Sequence, residues 1–433
     1  MNFIFSSSSS LFLEELRALT SIYNFLLFFM YNRHFQTSNR FSRFSRPAGS
    51  SRFGGGRGRN MKGGNIHEFI RRANVKSVLA SPTQTVEEVL FSGLNLPETL
   101  KATIVRHGYI NLTPIQAQGI PAIRAGKDVI GIANTGTGKT AAFLIPLVEN
   151  ILKDFNYKAL IISPTRELAL QTRDELRKFS GNMPIFSTLC IGQSSMQIQI
   201  SQLRHNPHVV VGTPGRLKDL INRGILKLGM FKMIILDETD QMLDMGFIHD
   251  IKEIISYLPA DRQSLFFSAT VSPAISSLIS SFVKNPVTIS VKTQETLTNI
   301  KQDLVRLDKK IGSKMEKLST LLRQEEFKKV LVFGRTKHGV ERVARDLFQK
   351  GFKVTSIHGD KAQFQRQQAI RLFKEDVVSI MVATDVAARG LDIANVTHVI
   401  NYDIPQTYED YIHRIGRTGR ANLSGTALTF VEE

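Results

Sequence analysis

The feature that most limits the possible fold is an alternation of short apolar runs with amphipathic segments, from about residue 86 onward. Ten runs read as strands: DVIGIA, KALIIS, HVVVGTP, KMIILDE, SLFFSAT, KVLVFGRT, KVTSIHG, SIMVATD, HVINYD and TALTFVE. Segments such as RELALQTRDELRKF, which have the spacing of an amphipathic helix, lie between them. Strands that alternate with helices predict parallel βαβ units, with helices on both faces of the sheet.

A polar stretch, KTQETLTNIKQD, interrupts this alternation and predicts a linker between two α/β domains. We expect a basic extension at 1–85, a first domain at 86–291, the linker at 292–303 and a second domain at 304–433. A chain of 433 residues is long enough for two such cores. Ligands of parallel sheets bind beyond the carboxyl ends of the strands, so the functional residues are expected in the loops that follow strands.

Positive charge is concentrated at the start of the chain. Residues 1–80 carry twelve Lys and Arg against three Glu, which accounts for half of the formal net charge of +18. A basic arm favours a polyanionic partner, either nucleic acid or an acidic membrane surface. The single cysteine excludes an intrachain disulfide and a cysteine zinc site. It suits a reducing compartment, and we expect a cytoplasmic protein.

The N-terminal extension holds two further features. Its most apolar segment, IYNFLLFFMY at 22–31, is too short to span a bilayer, so we expect no membrane association. Residues 30–60 contain seven Arg and no acidic residue, which leaves an organellar transit peptide as an alternative to our expectation that translation begins at Met30. The Arg, Phe, Ser and Gly-rich residues 30–64 predict disorder, as a flexible linker or as a tail that gathers RNA.

The segment GIANTGTGKTAAF is the most specific local motif. A strand ends at Ala133, a glycine-rich turn follows, and Lys139 and Thr140 begin an apolar helix. Gly136 and Gly138 let the backbone wrap phosphates, whose charge the helix N-terminus also stabilises. Lys139 can reach the β- and γ-phosphates, and the Thr140 hydroxyl can bind Mg²⁺. The motif predicts a P-loop, although Ala133 stands where the usual pattern begins with Gly.

A second motif, MIILDETDQMLDMGF, supplies the carboxylates that a P-loop enzyme needs. Asp237 ends an apolar strand and is predicted to bind Mg²⁺, directly or through water. Glu238 follows it and is predicted to orient and deprotonate the attacking water. A solvated turn would also explain the cluster taken alone, but the P-loop favours the catalytic interpretation.

Phosphoryl transfer also requires positive charge close to the transferred phosphate. The run HRIGRTGR at 413–420 supplies arginines from the second domain. Its glycines break the helical spacing that a solvated basic helix face would keep. We therefore predict an arginine finger in this run, which can contribute about 10³–10⁵ in rate.

With these motifs the chain resembles the DEAD-box RNA helicases of superfamily 2 over about residues 89–433. The resemblance also rests on GYINLTPIQ, PTRELA, TPGR, SAT, VFGRT, Gln363 with Arg366, and ATDVAARGLD, which occur in the order of that family. It implies two tandem RecA-like domains with parallel sheets and an ATP-dependent RNA helicase. The details DMGF and INYDIP are most similar to the bacterial RhlE-type branch.

The resemblance also implies roles for individual residues. The arginine fingers are Arg417 and Arg420, and the other catalytic groups are Lys139, Asp237 and Glu238. The predicted ATP-binding residues are Phe91, Tyr109, Gln116, Thr135, Gly136, Thr137, Gly138, Lys139, Thr140, Gly390 and Asp392, with Gln116 reading the adenine and Tyr109 stacking on it. The residues predicted to couple ATP to RNA are Asp240, Ser268, Thr270 and His413. The predicted RNA contacts are Pro164, Thr165, Arg166, Gly192, Thr213, Pro214, Gly215, Arg216, Arg335, Thr336, Gln363, Arg366, Thr384 and Arg389.

The sequence departs from the family pattern at a few places. Asn134 and Gln193 replace the commoner Gln and Gly, and the second of these changes is expected to alter one approach to the RNA backbone. Thr239 replaces Ala in the DETD motif, which we expect to be tolerated. The sequence ends at Glu433, just after the last strand, where family members continue with a closing helix. This end predicts a fragment with a weakened second domain.

The predicted activity is hydrolysis of ATP, with Mg²⁺ as cofactor, coupled to local unwinding of RNA duplexes. Contacts to the RNA backbone should be largely independent of sequence, and we expect a monomer. Two alternatives remain open at this point. One is an ATP-dependent RNA clamp that does not unwind, and the other is a translocase directed to DNA.

Overall fold

The structure is a computed structural model, and ten segments of the chain are described. They are residues 65–78, 90–134, 136–270, 273–280, 282–291, 299–307, 313–388, 391, 393–419 and 423–432. The predicted N-terminal extension lies outside the described residues except for 65–78. Five of the predicted site residues also lie outside them: Thr135, Arg389, Gly390, Asp392 and Arg420.

The described residues form helices and strands that alternate along most of the chain. The helices are α1 (Ile66–Val78), α2 (Glu98–Arg106), α3 (Pro114–Arg124), α4 (Lys139–Lys153), α5 (Arg166–Ser180), α6 (Met196–Arg204), α7 (Pro214–Asn222), α8 (Thr239–Asp244), α9 (Ile248–Ser256), α10 (Pro273–Ser280), α11 (Lys314–Leu322), α12 (Lys337–Gln349), α13 (Gln363–Lys374), α14 (Asp385–Ala388) and α15 (Tyr408–Ile415). The strands are β1 (Val129–Ala133), β2 (Ala159–Ile162), β3 (Ser187–Cys190), β4 (Val209–Gly212), β5 (Met233–Leu236), β6 (Gln263–Ser268), β7 (Val287–Val291), β8 (Ile300–Leu307), β9 (Val330–Phe333), β10 (Val354–Ile357), β11 (Ile380–Ala383), β12 (His398–Asn401) and β13 (Gly425–Glu432).

The strands form two parallel sheets, one in each domain. The sheet of the first domain has the order β3-β4-β2-β5-β6-β1-β7, and that of the second has the order β10-β11-β9-β12-β13-β8. The fold prediction of two tandem parallel α/β domains is therefore confirmed. All ten predicted strands are present, and RELALQTRDELRKF lies within α5.

The central strands are apolar because helices cover both of their faces. Every residue of β2, β4 and β5 in the first sheet, and of β9, β11 and β12 in the second, is buried. In the first domain the buried side chains form two clusters, and β2 contributes alternate residues to each of them: Ala159 and Ile161 to one, Leu160 and Ile162 to the other. A sheet buried on both sides explains why these strands read as continuous apolar runs.

Two segments differ from the sequence-based prediction. The strand β8 begins at Ile300, so it takes in the last four residues of the predicted linker. Among the described residues, β8 is an edge strand that pairs only with β13. Buried and exposed residues therefore alternate along it, and this alternation makes its sequence look polar. Residues 66–78, which we expect to belong to the basic extension at 1–85, form the helix α1.

Side chains at the helix N-termini fix where several functional loops end. The Thr165 hydroxyl accepts a hydrogen bond from the backbone N–H of Leu168 at the start of α5. Thr336 caps α12 in the same way through the N–H of Gly339. Such caps satisfy backbone donors that the helix itself leaves unpaired. No helix of the described segments has both the length and the apolar character needed to cross a membrane.

Candidate functional site

Three neighbouring strands of the first sheet carry the nucleotide-binding motifs at their carboxyl ends. Strand β6 lies between β1 and β5, with Ile132 opposite Ser268 on one side and Leu236 opposite Phe266 on the other. The glycine-rich loop follows β1, the SAT segment follows β6 and the DETD segment follows β5. The topology therefore brings together three motifs that are far apart in sequence.

The glycine-rich loop has a backbone that requires glycine at two positions. Gly136 and Gly138 have φ angles of 87° and 92°, which lie in the left-handed region. A Cβ atom at Gly138 would also come within 2.3 Å of Nε2 of Gln116. Helix α4 begins directly afterwards at Lys139, so its N-terminus faces the loop as a phosphate site requires.

Lys139 contacts the DETD segment. Its ammonium Nζ lies 3.4 Å from Oε1 of Glu238, and both side chains are buried. Asp237 is also buried, at 2% exposure. Glu238 has a left-handed backbone conformation, with φ of 53°, at the sharp turn between β5 and α8. This strained turn holds the carboxylate at the strand end.

Burial and neighbouring charges shift the pKa values of the two acids in opposite directions. Burial raises the pKa of Asp237, and the carboxylate of Glu238 adds to this effect although Lys139 opposes it. Burial would also raise the pKa of Glu238, but the positive charges of Lys139, His413 and Arg417 together lower it. Glu238 is therefore held as a carboxylate, while Asp237 would be stabilised in its charged form by a further cation.

These residues fit a magnesium ion that is shared with a nucleotide. In the segments that are described, no group of three His, Cys, Asp or Glu side chains could hold a metal ion alone. Mg²⁺ commonly takes one or two protein ligands and completes its shell with phosphates and water. The partly exposed Thr140 and the buried Asp237 would each offer an oxygen ligand, and their binding of Mg²⁺ stays a prediction.

One of the predicted adenine-binding residues, Gln116, contacts the glycine-rich loop. The side-chain amide of Gln116 donates to the carbonyl of Gly138 at 3.1 Å and accepts from the N–H of Thr113 at 2.9 Å. The ring of Tyr109 packs between Phe91 and Phe179, with centroids 5.8 Å and 5.2 Å away. Phe91 is buried, at 3% exposure. Direct contact of Phe91 with adenine stays a prediction.

Asp240 connects the DETD segment to the SAT segment. Its Oδ2 accepts hydrogen bonds from the backbone N–H of Ala269 at 3.0 Å and of Thr270 at 2.9 Å, and from the Thr270 hydroxyl at 3.2 Å. Its own N–H donates to Ser268 Oγ at 3.3 Å. The predicted link between the two loops is thus a set of direct hydrogen bonds, and its coupling role stays a prediction.

Thr239 has a structural contact that the sequence did not indicate. The residue is fully buried, and its hydroxyl lies 3.3 Å from the carbonyl of Leu236 and 3.2 Å from that of Phe267. It can donate to either oxygen, so it joins the ends of β5 and β6. An alanine at this position would lack this hydrogen bond.

The second domain contributes positive charge from α15 and the residues after it. Arg417 is buried and donates to the carbonyl of Leu391 at 2.7 Å and to that of His413 at 3.3 Å. Arg414 forms a bidentate ion pair with Asp385, with one N–O distance of 2.8 Å. The positive charges of His413 and Arg417 are among the causes that lower the pKa of Glu238 in the first domain. We call Lys139, Asp237, Glu238, His413 and Arg417 the nucleotide edge.

A cleft lies between the two domains at the loops that carry the predicted RNA-binding motifs. It has a volume of about 460 Å³ and is lined by Pro164, Thr165, Arg166, Glu167, Gly192, Thr213, Gly215, Arg216, Met245, Phe247, Gly359, Arg366 and Val386. Eight of these residues are predicted RNA contacts. The cleft therefore collects PTRELA, TPGR and part of the second domain into one surface.

The two domains meet at this cleft through a buried ion pair. Nη2 of Arg366 lies 2.7 Å from Oε2 of Glu167, and Nε2 of Gln363 donates to Oε1 of the same carboxylate at 3.3 Å. Arg366 Nε and Gln363 Oε1 are buried without a hydrogen-bond partner among the described residues. We call Glu167, Gln363 and Arg366 the RNA edge, after the prediction made for the last two.

Gln193 contacts a residue that lines this cleft, and its effect on the approach to the RNA backbone stays a prediction. Its φ of 56° lies in the left-handed region, where glycine is favoured. Its side-chain oxygen accepts a hydrogen bond from Arg166 Nη1. Burial, with the nearby charges of Arg366 and Arg216, lowers the pKa of Arg166. Three guanidinium groups are thus close to one another, as in a site for a polyanion.

Comparison with known proteins decides the family. The DEAD/DEAH box helicase family matches residues 113–278, and the helicase conserved C-terminal domain matches residues 313–422. The chain belongs to the DEAD-box helicases. It is 47% identical over 343 residues to the DEAD-box ATP-dependent RNA helicase CshA of Geobacillus kaustophilus, which covers 79% of this chain and 73% of that protein. The CshA of Bacillus subtilis is 46% identical over 350 residues, covering 79% and 69%.

Solved structures agree with this assignment. Dbp5 of S. cerevisiae bound to RNA and ADP BeF3 has a TM-score of 0.71 and 30% identity, covering 79% of this chain and 90% of that one. The DEAD-box helicase Mss116 bound to ssRNA and UDP-BeF has a TM-score of 0.73 and 28% identity, covering 80% and 76%. As a DEAD-box ATP-dependent RNA helicase, the chain is an RNA-stimulated ATPase.

Some predicted RNA contacts of this helicase lie away from the shared cleft. Arg335 and Thr336 line a separate cavity in the second domain, together with Lys314 and Asp403. Pro214 and Thr384 begin or precede helices and do not line the cleft of the described residues.

The sequence analysis missed several residues that line the cleft. Glu167, Met245 and Phe247 lie inside motifs that were quoted, PTRELA and DMGF, but had been given no role. Val386 likewise lies inside the quoted motif ATDVAARGLD, and Gly359 ends the predicted strand KVTSIHG, but neither had been given a role. The RhlE-type branch also stays a prediction, since these relatives carry the name CshA.

Proposed function

We propose that this chain hydrolyses ATP with the nucleotide edge and uses the closed arrangement of its two domains to hold and distort one RNA strand. The supporting observation is that motifs from both domains meet at two places. The positive charges of His413 and Arg417 act on Glu238, and Glu167 pairs with Arg366. A site assembled from two domains makes hydrolysis depend on domain closure.

At the nucleotide edge, each side chain has a distinct task. The loop backbone and Lys139 bind the β- and γ-phosphates. Thr140 and Asp237 would hold Mg²⁺, which neutralises phosphate charge. Glu238 accepts the proton of the attacking water, because its lowered pKa keeps it ionised. Arg417 of the second domain stabilises the charge that develops on the transferred phosphate.

At the RNA edge, recognition would rest on the phosphate backbone. Arg166, Arg216 and Arg366 line the cleft, and backbone contacts carry little sequence information. Binding should therefore be largely independent of sequence and should weaken as salt rises. Asp240 and Thr270 connect this side to the nucleotide, because their hydrogen bonds join the DETD and SAT segments.

The proposal also covers the oligomeric state, the location in the cell and the choice between a helicase and a clamp. A monomer suffices, since one chain supplies both sides of each edge. A cytoplasmic location is suggested by the single cysteine. An RNA clamp without unwinding is not favoured, since the relatives are named helicases.

The decisive experiment is strand release from a short RNA duplex by the purified protein. We expect release with ATP and Mg²⁺ but no repeated release with a non-hydrolysable analogue. Glu238→Gln should lower ATP turnover by about 10²-fold or more and leave ATP binding intact. Glu326→Gln, at an exposed glutamate of the second domain, serves as the control.

Each alternative predicts a different result. A clamp would bind RNA equally with ATP and with the analogue and would release no strand. A translocase directed to DNA would show ATPase stimulation by DNA at least equal to that by RNA. An unchanged turnover rate in Glu238→Gln would contradict the assignment of the base.

A further inference from the structure

Helix α1 has one apolar face, although the sequence around it is basic and polar. Ile66, Phe69 and Ala73 are buried, at 3%, 8% and 0% exposure, and their spacing of three and four residues places them on one side of the helix. Glu68 and Arg71 are exposed. A helix of 13 residues is marginal in water by itself, so this face needs a partner.

The partner is the second domain. The buried side chains of α1 belong to a cluster with Ile300 of β8, Tyr408, Tyr411 and Ile415 of α15, and Ala427 of β13. The ring of Phe69 lies 5.9 Å from that of Tyr408, edge to face, and 6.2 Å from that of Tyr411. The Arg72 guanidinium lies over the Tyr408 ring at 4.4 Å from its centroid. These contacts have the geometry of a specific interface.

The same helix α15 leads into the charged residues of the nucleotide edge. His413 lies within it, and Arg417 follows two residues after the helix ends at Ile415. Tyr411 is tied to β8, since its hydroxyl donates to Oε1 of Gln302 at 2.6 Å. Helix α1 therefore packs behind the helix that presents the predicted arginine finger.

The position of α1 also links the two domains. It lies on the second domain and ends at Val78, whereas Leu90 pairs with Asn111 in the first domain. Eleven residues join Val78 to Leu90. They can span at most about 40 Å, so α1, packed on the second domain, and the chain after it connect the two domains in addition to the covalent linker at 292–299.

From these contacts we propose that the outer face of α15, β8 and β13 is an intramolecular docking surface for residues 66–78. Docked α1 acts as part of the second domain and holds α15 in the orientation that brings Arg417 to the nucleotide. The positioning role rests on the function proposed above, whereas the docking itself does not.

Hydrogen exchange of the full chain tests the docking without any reference to activity. Because an undocked helix of this length would exchange like unfolded chain, docking should slow the amides of α1 by about tenfold or more. Phe69→Ala should abolish this protection and lower the melting temperature of the second domain by about 5 °C. Arg71→Ala, at an exposed position of the same helix, should change neither.

A double-mutant cycle shows whether Phe69 acts through Tyr408. Losses of melting temperature in Phe69→Ala and Tyr408→Ala should not add, because each removes the same contact. Phe69→Ala combined with Val105→Ala, at an exposed valine of the first domain, should be additive. Additive losses for Phe69 and Tyr408 would contradict the docking, as would α1 amides that exchange at the unprotected rate.

ATPase kinetics test the positioning role. We expect Phe69→Ala to lower the RNA-stimulated kcat about three- to tenfold with little change in the KM for ATP, and Phe69→Leu to restore it. A second copy in trans, the other possible occupant, would make the protection depend on protein concentration and would overturn the intramolecular proposal. Protection with an unchanged kcat would overturn only the positioning role. A normal rate in an Arg417 variant would instead contradict the function on which that role rests.

Discussion

The nucleotide edge and the RNA edge join the same two domains in different ways. At the RNA edge, Glu167 of the first domain forms a direct buried ion pair with Arg366 of the second. At the nucleotide edge, Lys139 and Glu238 pair within the first domain, and Arg417 donates to carbonyl groups of its own domain. At the RNA edge the two domains are thus joined by a direct contact between side chains. At the nucleotide edge the charged side chains of the two domains would be joined by the phosphate that binds between them.

The largest effect is expected at Arg417, which tests this difference most directly. Arg417→Lys keeps the positive charge but loses the planar set of donors that a transferred phosphate needs. We expect kcat to fall by about 10³-fold or more while ATP still binds. Steady-state ATPase assays measure this, with Arg345→Lys at an exposed arginine as the control. A decrease of less than tenfold would mean that the nucleotide edge does not depend on this residue.

An intermediate effect is expected at the RNA edge. Removal of one partner from a buried ion pair leaves an unpaired charge, so Glu167→Gln and Arg366→Met should each weaken RNA binding about 10- to 100-fold in the presence of an ATP analogue. The double variant should be no worse than the worse single variant, since both remove one interaction. RNA titrations followed by fluorescence anisotropy measure the three affinities. Independent, additive losses would show that the pair does not hold the domains together.

The smallest effect is expected at Thr239, which follows Glu238 in the DETD segment of the first domain. Thr239→Ala removes a buried hydroxyl that joins β5 to β6. Loss of one such hydrogen bond costs about 1 kcal/mol and should lower the melting temperature by a few degrees. Turnover should stay within about threefold, since no ligand or charge is lost. A hundredfold change in turnover would show that Thr239 takes part directly in the nucleotide edge or the RNA edge.

The sequence predicted the parts of the molecule that local chemistry determines. The strands buried on both faces read as apolar runs, and the glycines of the P-loop stand where the backbone needs them. Asp237 and Glu238 were identified because a P-loop enzyme needs carboxylates on a neighbouring strand. That β6 would lie between β1 and β5 could not be deduced, because sheet order depends on contacts remote in sequence.

The features that the sequence did not predict have a common physical origin. Strand β8 alternates buried and exposed residues at a sheet edge, so its first four residues, IKQD, looked like linker. Helix α1 buries only a narrow apolar face, and its partner lies more than 200 residues away at Ile300, Tyr408 and Tyr411. Glu167 was passed over because its role depends on Arg366, another distant residue. Each of these features is defined by a partner that the local sequence does not reveal.

The contact between Lys139 and Glu238 has a consequence for substitutions at the lysine. The ammonium group lies 3.4 Å from the carboxylate and helps to lower its pKa. Under the proposed roles, the same ammonium group is the counter-charge of both the bound phosphates and the base. Removal of the positive charge at Lys139 would therefore raise the pKa of Glu238 as well as weaken phosphate binding.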